Sequence, residues 1–159
     1  MKNKELIYWI DLTGPAPFDE VVRMSIINTN NQVLFDHMFG TKIVDWWHSE
    51  INGIRPEETF DKPLFQEYKN EIQEIFNSAD KLVTFFYPSN TYIKKQTMSI
   101  HSNTMTIDLA DLFCFLGDNA DSIENLCTYY GYNLPANIYE RSGIDYAQAI
   151  NYCWHKMLK

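Results

Sequence analysis

Residues Leu6 to Asp11 (LIYWID) form an apolar run that ends on an acid, and Gly14, Pro15 and Pro17 forbid regular structure directly after it. This reads as a strand followed by a loop, with a carboxylate held at the strand end. Two more strand-like runs, Glu20 to Asn28 (EVVRMSIIN) and Val33 to Phe39 (VLFDHMF), flank the polar cluster Thr29-Asn30-Asn31-Gln32. Such a cluster closes a hairpin, so the first three strands are expected to form an antiparallel meander.

Beyond the meander, strands and helices alternate. Asp45 to Ile51 is expected as a short helix broken at Asn52-Gly53, and Pro63 opens a helix from Leu64 to Ser78. Leu64, Phe65, Tyr68, Ile72, Ile75 and Phe76 recur along it at helical spacing, which gives it one buried face. Lys81 to Tyr87 (KLVTFFY) is too apolar for a sheet edge and reads as a central strand ending at Pro88-Ser89-Asn90. A helix over Thr91–Met98, a strand over Thr104–Leu109 and a helix over Leu109–Phe115 follow. Ser122 caps another helix that Gly131 ends, and the last helix, Ile144–Leu158, starts after Ser142-Gly143. The expected fold is α/β: a mixed sheet of about five strands flanked by helices, with Leu6–Asp11 central and beside Lys81–Tyr87.

The 159 residues, 45% hydrophobic and 15% aromatic, suffice for one substantial core, so residues 1–159 are expected to form a single domain. A formal net charge of −8 repels a phosphate backbone at long range and argues against tight non-specific nucleic-acid binding. The charged start, Met1-Lys2-Asn3-Lys4-Glu5, leads into only a short apolar stretch, so no leader or membrane span is readable and a soluble, cytoplasmic protein is expected. Cys114, Cys127 and Cys153 lack metal-ligand spacing and read as free, mostly buried thiols.

Six segments, in order, resemble the DEDD 3′–5′ exonucleases, whose fold is ribonuclease-H-like. Tyr8-Trp9-Ile10-Asp11-Leu12-Thr13-Gly14 is similar to the first motif, a strand ending in Asp-x-Glu-Thr-Thr-Gly. Trp47 to Ile54 (WHSEINGI) resembles a helix ending in Ile-His-Gly-Ile, and Phe60 to Phe65 (FDKPLF) an Ala-Pro-x-Phe helix start. Leu82 to Ile93 resembles Val-x-His-Asn-x-x-Phe-Asp, and Ser122 to Tyr132 resembles Ser-Leu-x-x-Leu-x-x-x-x-Gly. Glu140 to Ala147 (ERSGIDYA) is similar to His-x-Ala-x-x-Asp-Ala, the third motif of the DEDDh branch.

The resemblance implies a site of four carboxylates holding two divalent metals about 3.5–4 Å apart, with a histidine as general base. Asp11 and Asp145 then stand as the first and last acids and candidate metal ligands. Thr13 takes the place of the second acid, Asn90 that of the middle-motif Asp, and Glu140 that of the histidine. A glutamate, with an ordinary pKa of about 4.3, is a far weaker base at neutral pH than an imidazole. One Mg²⁺ or Mn²⁺ held by Asp11, Asp145 and Glu140 is the most this set supports, unless Asp19 or Glu20 swings in from the loop.

His37 and His48 have no partner at ligand spacing; of Trp46 and Trp47 one is expected in the core and one at a partner; Lys94-Lys95 reads as a solvated helix face. The function expected is therefore that of a degenerate exonuclease-like protein acting as a binding or interaction module. Its acidic balance favours a protein partner over a nucleic-acid 3′ end or nucleotide. Two alternatives stand beside it: an active exonuclease on single-stranded DNA or RNA ends with rearranged ligands, and an acidic inhibitor that mimics nucleic acid. Restoring Thr13→Glu, Asn90→Asp and Glu140→His together is expected to improve metal binding.

Overall fold

A computed structural model describes residues 4–46, 48–85, 99–115 and 122–159. Five strands form one mixed sheet: β1 (Glu5–Leu12), β2 (Val21–Asn28), β3 (Val33–Met38), β4 (Lys81–Thr84) and β5 (Met105–Asp108). Their spatial order is β3-β2-β1-β4-β5, with β1–β2 and β2–β3 antiparallel and β1–β4 and β4–β5 parallel. The meander and the central position of β1 beside β4 are as the sequence predicts.

β1 lies between two layers, which is why it is apolar at almost every position. Leu6, Tyr8, Ile10 and Leu12 face a cluster with Phe35, Phe39, Phe65, Ile72 and Phe76. Ile7 and Trp9 face the opposite cluster, built on Ala147, Ile150 and Trp154. Asp11 continues that second face, because side chains two apart on a strand share a side.

Helix α2 (Phe65–Asn77) covers the first face with Phe65, Ile72 and Phe76 buried at helical spacing. Burying each of these side chains is worth about 1.5–3 kcal/mol. Its first turn is held by Glu67, whose Oε2 accepts the Leu64 N–H at 2.9 Å. Helices α3 (Leu109–Phe115), α4 (Ile123–Tyr130) and α5 (Gly143–Met157) belong to the other side of the chain's core, and α5 packs on β1, β2 and β4. Ser122 caps α4 by accepting the Asn125 N–H, and Gly131 ends it in the left-handed region at φ 77°.

The helix expected over Asp45–Ile51 is shorter, a single turn α1 at Ser49–Asn52. Two hydrogen bonds accompany this, one local and one long-range: the Trp46 indole donates to the Ile43 carbonyl, and the His48 N–H donates to the Thr13 carbonyl in the loop after β1. Gly53 closes α1 at φ 75°, where a Cβ would lie 2.2 Å from the Ile138 carbonyl oxygen. Only glycine lets this turn meet the 3₁₀ turn at Ile138–Glu140. The end of the strand expected over Lys81–Tyr87, the helix expected over Thr91–Met98, and the positions Trp47, Asn90, Lys94 and Lys95 lie outside the described residues.

Candidate functional site

Asp11 and Arg23 stand directly opposite each other on the antiparallel β1–β2 pair. Arg23 Nε donates to Asp11 Oδ2 at 2.6 Å, with both residues only 4% exposed. Arg23 Nη1 also donates to the Arg141 carbonyl at 3.1 Å, so one guanidinium ties the end of β1 to the segment that opens α5. Burial pushes the Asp11 carboxyl above its ordinary range, and the Arg23 charge and hydrogen bond pull it back, with smaller help from Trp9 and His48. The carboxylate on this strand end therefore already has a cation.

The side chain that α5 presents to this pair is Tyr146. Its ring stacks on Trp9 with centroids 4.2 Å apart and planes 8° from parallel. The Arg23 and Arg141 guanidinium carbons lie 5.9 Å and 5.7 Å from the same ring, cation–π contacts in a buried setting. Arg141 is held in turn by Glu124 at 2.6 Å and by the Pro135 carbonyl at 2.7 Å. The backbone approaches closely here: a Cβ on Gly143 would lie 2.1 Å from Ser25 Oγ.

The other expected site residues have separate duties. Thr13 is buried; its hydroxyl donates to Asp19 Oδ1 at 2.7 Å and accepts the Glu20 N–H at 3.0 Å. Asp19 also accepts the Ala16 N–H, while Glu20 Oε2 accepts the N–H groups of Lys42 and Ile43. Both loop acids are thus occupied in closing the loop and not turned to Asp11. Asp145 forms a capping box with Ser142, its Oδ2 accepting the Ser142 N–H at 2.8 Å. Glu140 is exposed and lines a cleft of about 330 Å³ with Arg23, Asp36, His37 and Ser142. His37 stacks on Tyr68 at 4.6 Å, and Trp46 packs with Val22 and Ile54.

Asp11 opens onto a cleft of about 110 Å³ whose walls include Trp9, Leu12, His48, Ile51 and Asn52. Burial holds the half-buried His48 below its ordinary value of 6.5, although Asp19 and Asp11 pull it up. The unfolded chain therefore binds a proton at His48 that the folded chain refuses, and the stability present above pH 6.5 is lost as the pH falls below it. His48→Gln should flatten the denaturation-midpoint profile between about pH 7 and pH 5. An unchanged slope would show that His48 titrates alike in both states.

These residues do not fit a divalent ion. Such an ion needs free oxygen acceptors, whereas the buried polar atom left without a hydrogen-bond partner beside Asp11 is a donor, Arg23 Nη2. Among the described residues no group of three or more His, Cys, Asp or Glu side chains could hold a metal. Sequence reasoning missed Arg23 and Tyr146. A signal for the second was present: Arg141-Ser142-Gly143-Ile144-Asp145-Tyr146-Ala147 places small residues at both alanine positions of His-x-Ala-x-x-Asp-Ala.

No protein-family model matches the chain, and no curated protein matches it significantly. Solved structures do. A 3′-exonuclease that recognises the 3′ end of the histone mRNA stem-loop superposes with a TM-score of 0.71 at 12% identity, covering 98% of this chain and 81% of that one. The Neurospora crassa Pan2 catalytic unit, with its protease and nuclease domain, gives 0.71 at 13% identity over 98% of this chain and 27% of that one. S. pombe Pop2p in its Mg²⁺- and Mn²⁺-bound form gives 0.67 at 8% identity, covering 96% and 82%. At such identities the likeness is one of fold. No helix among the described residues is long and apolar enough to cross a membrane.

Proposed function

We propose that this chain, which has the ribonuclease-H-like fold of the DEDD-type 3′–5′ exonucleases, uses that fold for binding and not for metal-dependent hydrolysis. The observation that carries this reading is the buried Arg23–Asp11 pair. A fixed guanidinium supplies the positive charge that a metal would bring, but it cannot lower the pKa of a bound water or take up a changing set of oxygens. With Tyr146 read as the occupant of the last acidic position and Arg141 as that of the histidine, two groups that serve hydrolysis are replaced by two that pack. Thr13 and Asn90 extend the replacement, as the sequence resemblance implies, and in this register Glu140 lies one residue before the histidine position.

The partner we propose is a protein. The net charge of −8 opposes a phosphate backbone, and the cation at the cleft is already neutralised. Exposed Ile51 lines the cleft beside Asp11 and gives it apolar contact area. A labelled single-stranded DNA or RNA incubated with Mg²⁺ or Mn²⁺ should remain intact at a rate equal to that of Asp11→Asn. Shortening from the 3′ end that requires Asp11 would instead establish the active exonuclease.

A further inference from the structure

Between the edge strand β3 and the start of α5 lies the cleft of about 330 Å³ that Glu140 lines. Arg23 and Ser25 on β2 stand opposite Met38 and Asp36 on β3, and Ser25 meets both Asp36 and Gly143, so the cleft opens on the face of the sheet that α5 covers. Its lining includes a donor without an acceptor. Arg23 is 4% exposed and spends Nε on Asp11 and Nη1 on the Arg141 carbonyl, but its Nη2 has no partner. A buried donor left in that state costs stability until an oxygen reaches it. Gly143 adds a second donor to the lining, since the N–H of the first helical residue has no acceptor within its own helix. The rim has the opposite character. Asp36 and Glu140 are exposed, and among the described residues no cation pairs with either.

The two guanidinium groups of the lining, those of Arg23 and Arg141, are each already matched by a carboxylate, Asp11 and Glu124. His37, also in the lining, stacks on Tyr68. Asp36 and Glu140 therefore leave the cleft net negative, which opposes a phosphate or carboxylate as the acceptor for Nη2 and favours a neutral oxygen carried next to a positive charge. The first residue of a polypeptide is such a group, because its ammonium and its carbonyl sit on either side of one Cα. A lysine side chain offers the same charge on a flexible stem whose rotamers must be fixed at an entropic cost. We propose that this cleft captures the free amino terminus of a partner protein. The α-ammonium binds between Asp36 and Glu140, and the carbonyl of that first residue accepts from Arg23 Nη2 and the Gly143 N–H. The assignment rests on the reading of the partner as a protein and names the part of it that the fold holds. Asp11 and the Arg141 carbonyl fix the guanidinium plane, so Nη2 is held in place before a partner arrives.

Trialanine amide is the probe, titrated into the isotope-labelled full chain and followed by NMR beside its N-acetylated form and N-acetyl-lysine amide. The amides of Ser142 and Gly143 and the Arg23 Nε–H should shift saturably with the free peptide. Acetylation should weaken binding at least about tenfold, because it removes a charge-assisted hydrogen bond. Asp36→Asn and Glu140→Gln should each weaken the free peptide several-fold with Tm unchanged, since asparagine keeps an oxygen for the Ser25 hydroxyl and Glu140 is exposed. Equal binding of the free and acetylated peptides, equal or tighter binding of N-acetyl-lysine amide, undiminished binding by both variants, or no shift of these resonances with any probe would each overturn the assignment. The nuclease test stays separate: a labelled strand that remains intact while the peptide fails to bind rejects the amino terminus and not the binding reading, whereas Asp11-dependent shortening rejects the latter.

Discussion

Replacing Asp11 with alanine is expected to destabilise the fold by about 3–5 kcal/mol, because it strands a buried guanidinium without its counter-ion. Arg23 is 4% exposed, and its Nη2 already has no acceptor, so only the Arg141 carbonyl would remain to it. For a chain of this length such a loss lowers Tm by roughly 10 °C. Arg23→Ala should cost a similar amount by leaving the carboxylate alone. The double variant Asp11→Ala/Arg23→Met should recover much of the loss, since a paired charge removed as a pair leaves nothing uncompensated. Chemical denaturation of the four proteins measures the coupling. If Asp11 were one of several acids awaiting a metal, its removal would relieve repulsion and leave stability equal or higher.

Rebuilding a metal site should need different residues from those the motif comparison offers. Thr13→Glu, Asn90→Asp and Glu140→His together should not create divalent-ion binding while Arg23 remains on Asp11. The first of these changes should also cost at least about 2 kcal/mol, because it buries a second carboxylate against Asp19 in place of a satisfied hydroxyl. Adding Arg23→Gln and Tyr146→Asp removes the resident cation and sets a carboxylate where the ring now stacks on Trp9. That five-residue variant should bind Mn²⁺ in calorimetry, and it should be markedly less stable than wild type without the ion. Equal binding by the three-residue and five-residue variants would remove Arg23 and Tyr146 from the explanation.

Much of the architecture was legible because its signals are local. The acid-terminated run of β1, the polar turn before β3, the apolar stripe of α2 and the caps Ser122 and Gly131 each declare themselves within a few residues. The site was harder to read because it is assembled across the sheet. Arg23 meets Asp11 only through the β1–β2 register, and a strand reading of EVVRMSIIN records the arginine without saying which face it takes. On α5 the difficulty was one of phase. Asp145 and Tyr146 are neighbours in sequence, yet a helix turns them about 100° apart, so one caps the first turn while the other faces β1. The close approach of Gly143 to Ser25 accompanies the phase in which Tyr146 faces the sheet.

The guanidinium as resident cation is tested most directly by thermal unfolding of the wild-type chain titrated with Mg²⁺ and Mn²⁺, beside Asp11→Asn. An ion at a hundred times its Kd would stabilise the native state by about 2.7 kcal/mol, a shift of several degrees. With Arg23 holding Asp11, Tm should stay constant through the millimolar range for both ions and both proteins. A saturable rise in wild-type Tm that Asp11→Asn abolishes would contradict it, because the carboxylate would then be free to take a metal.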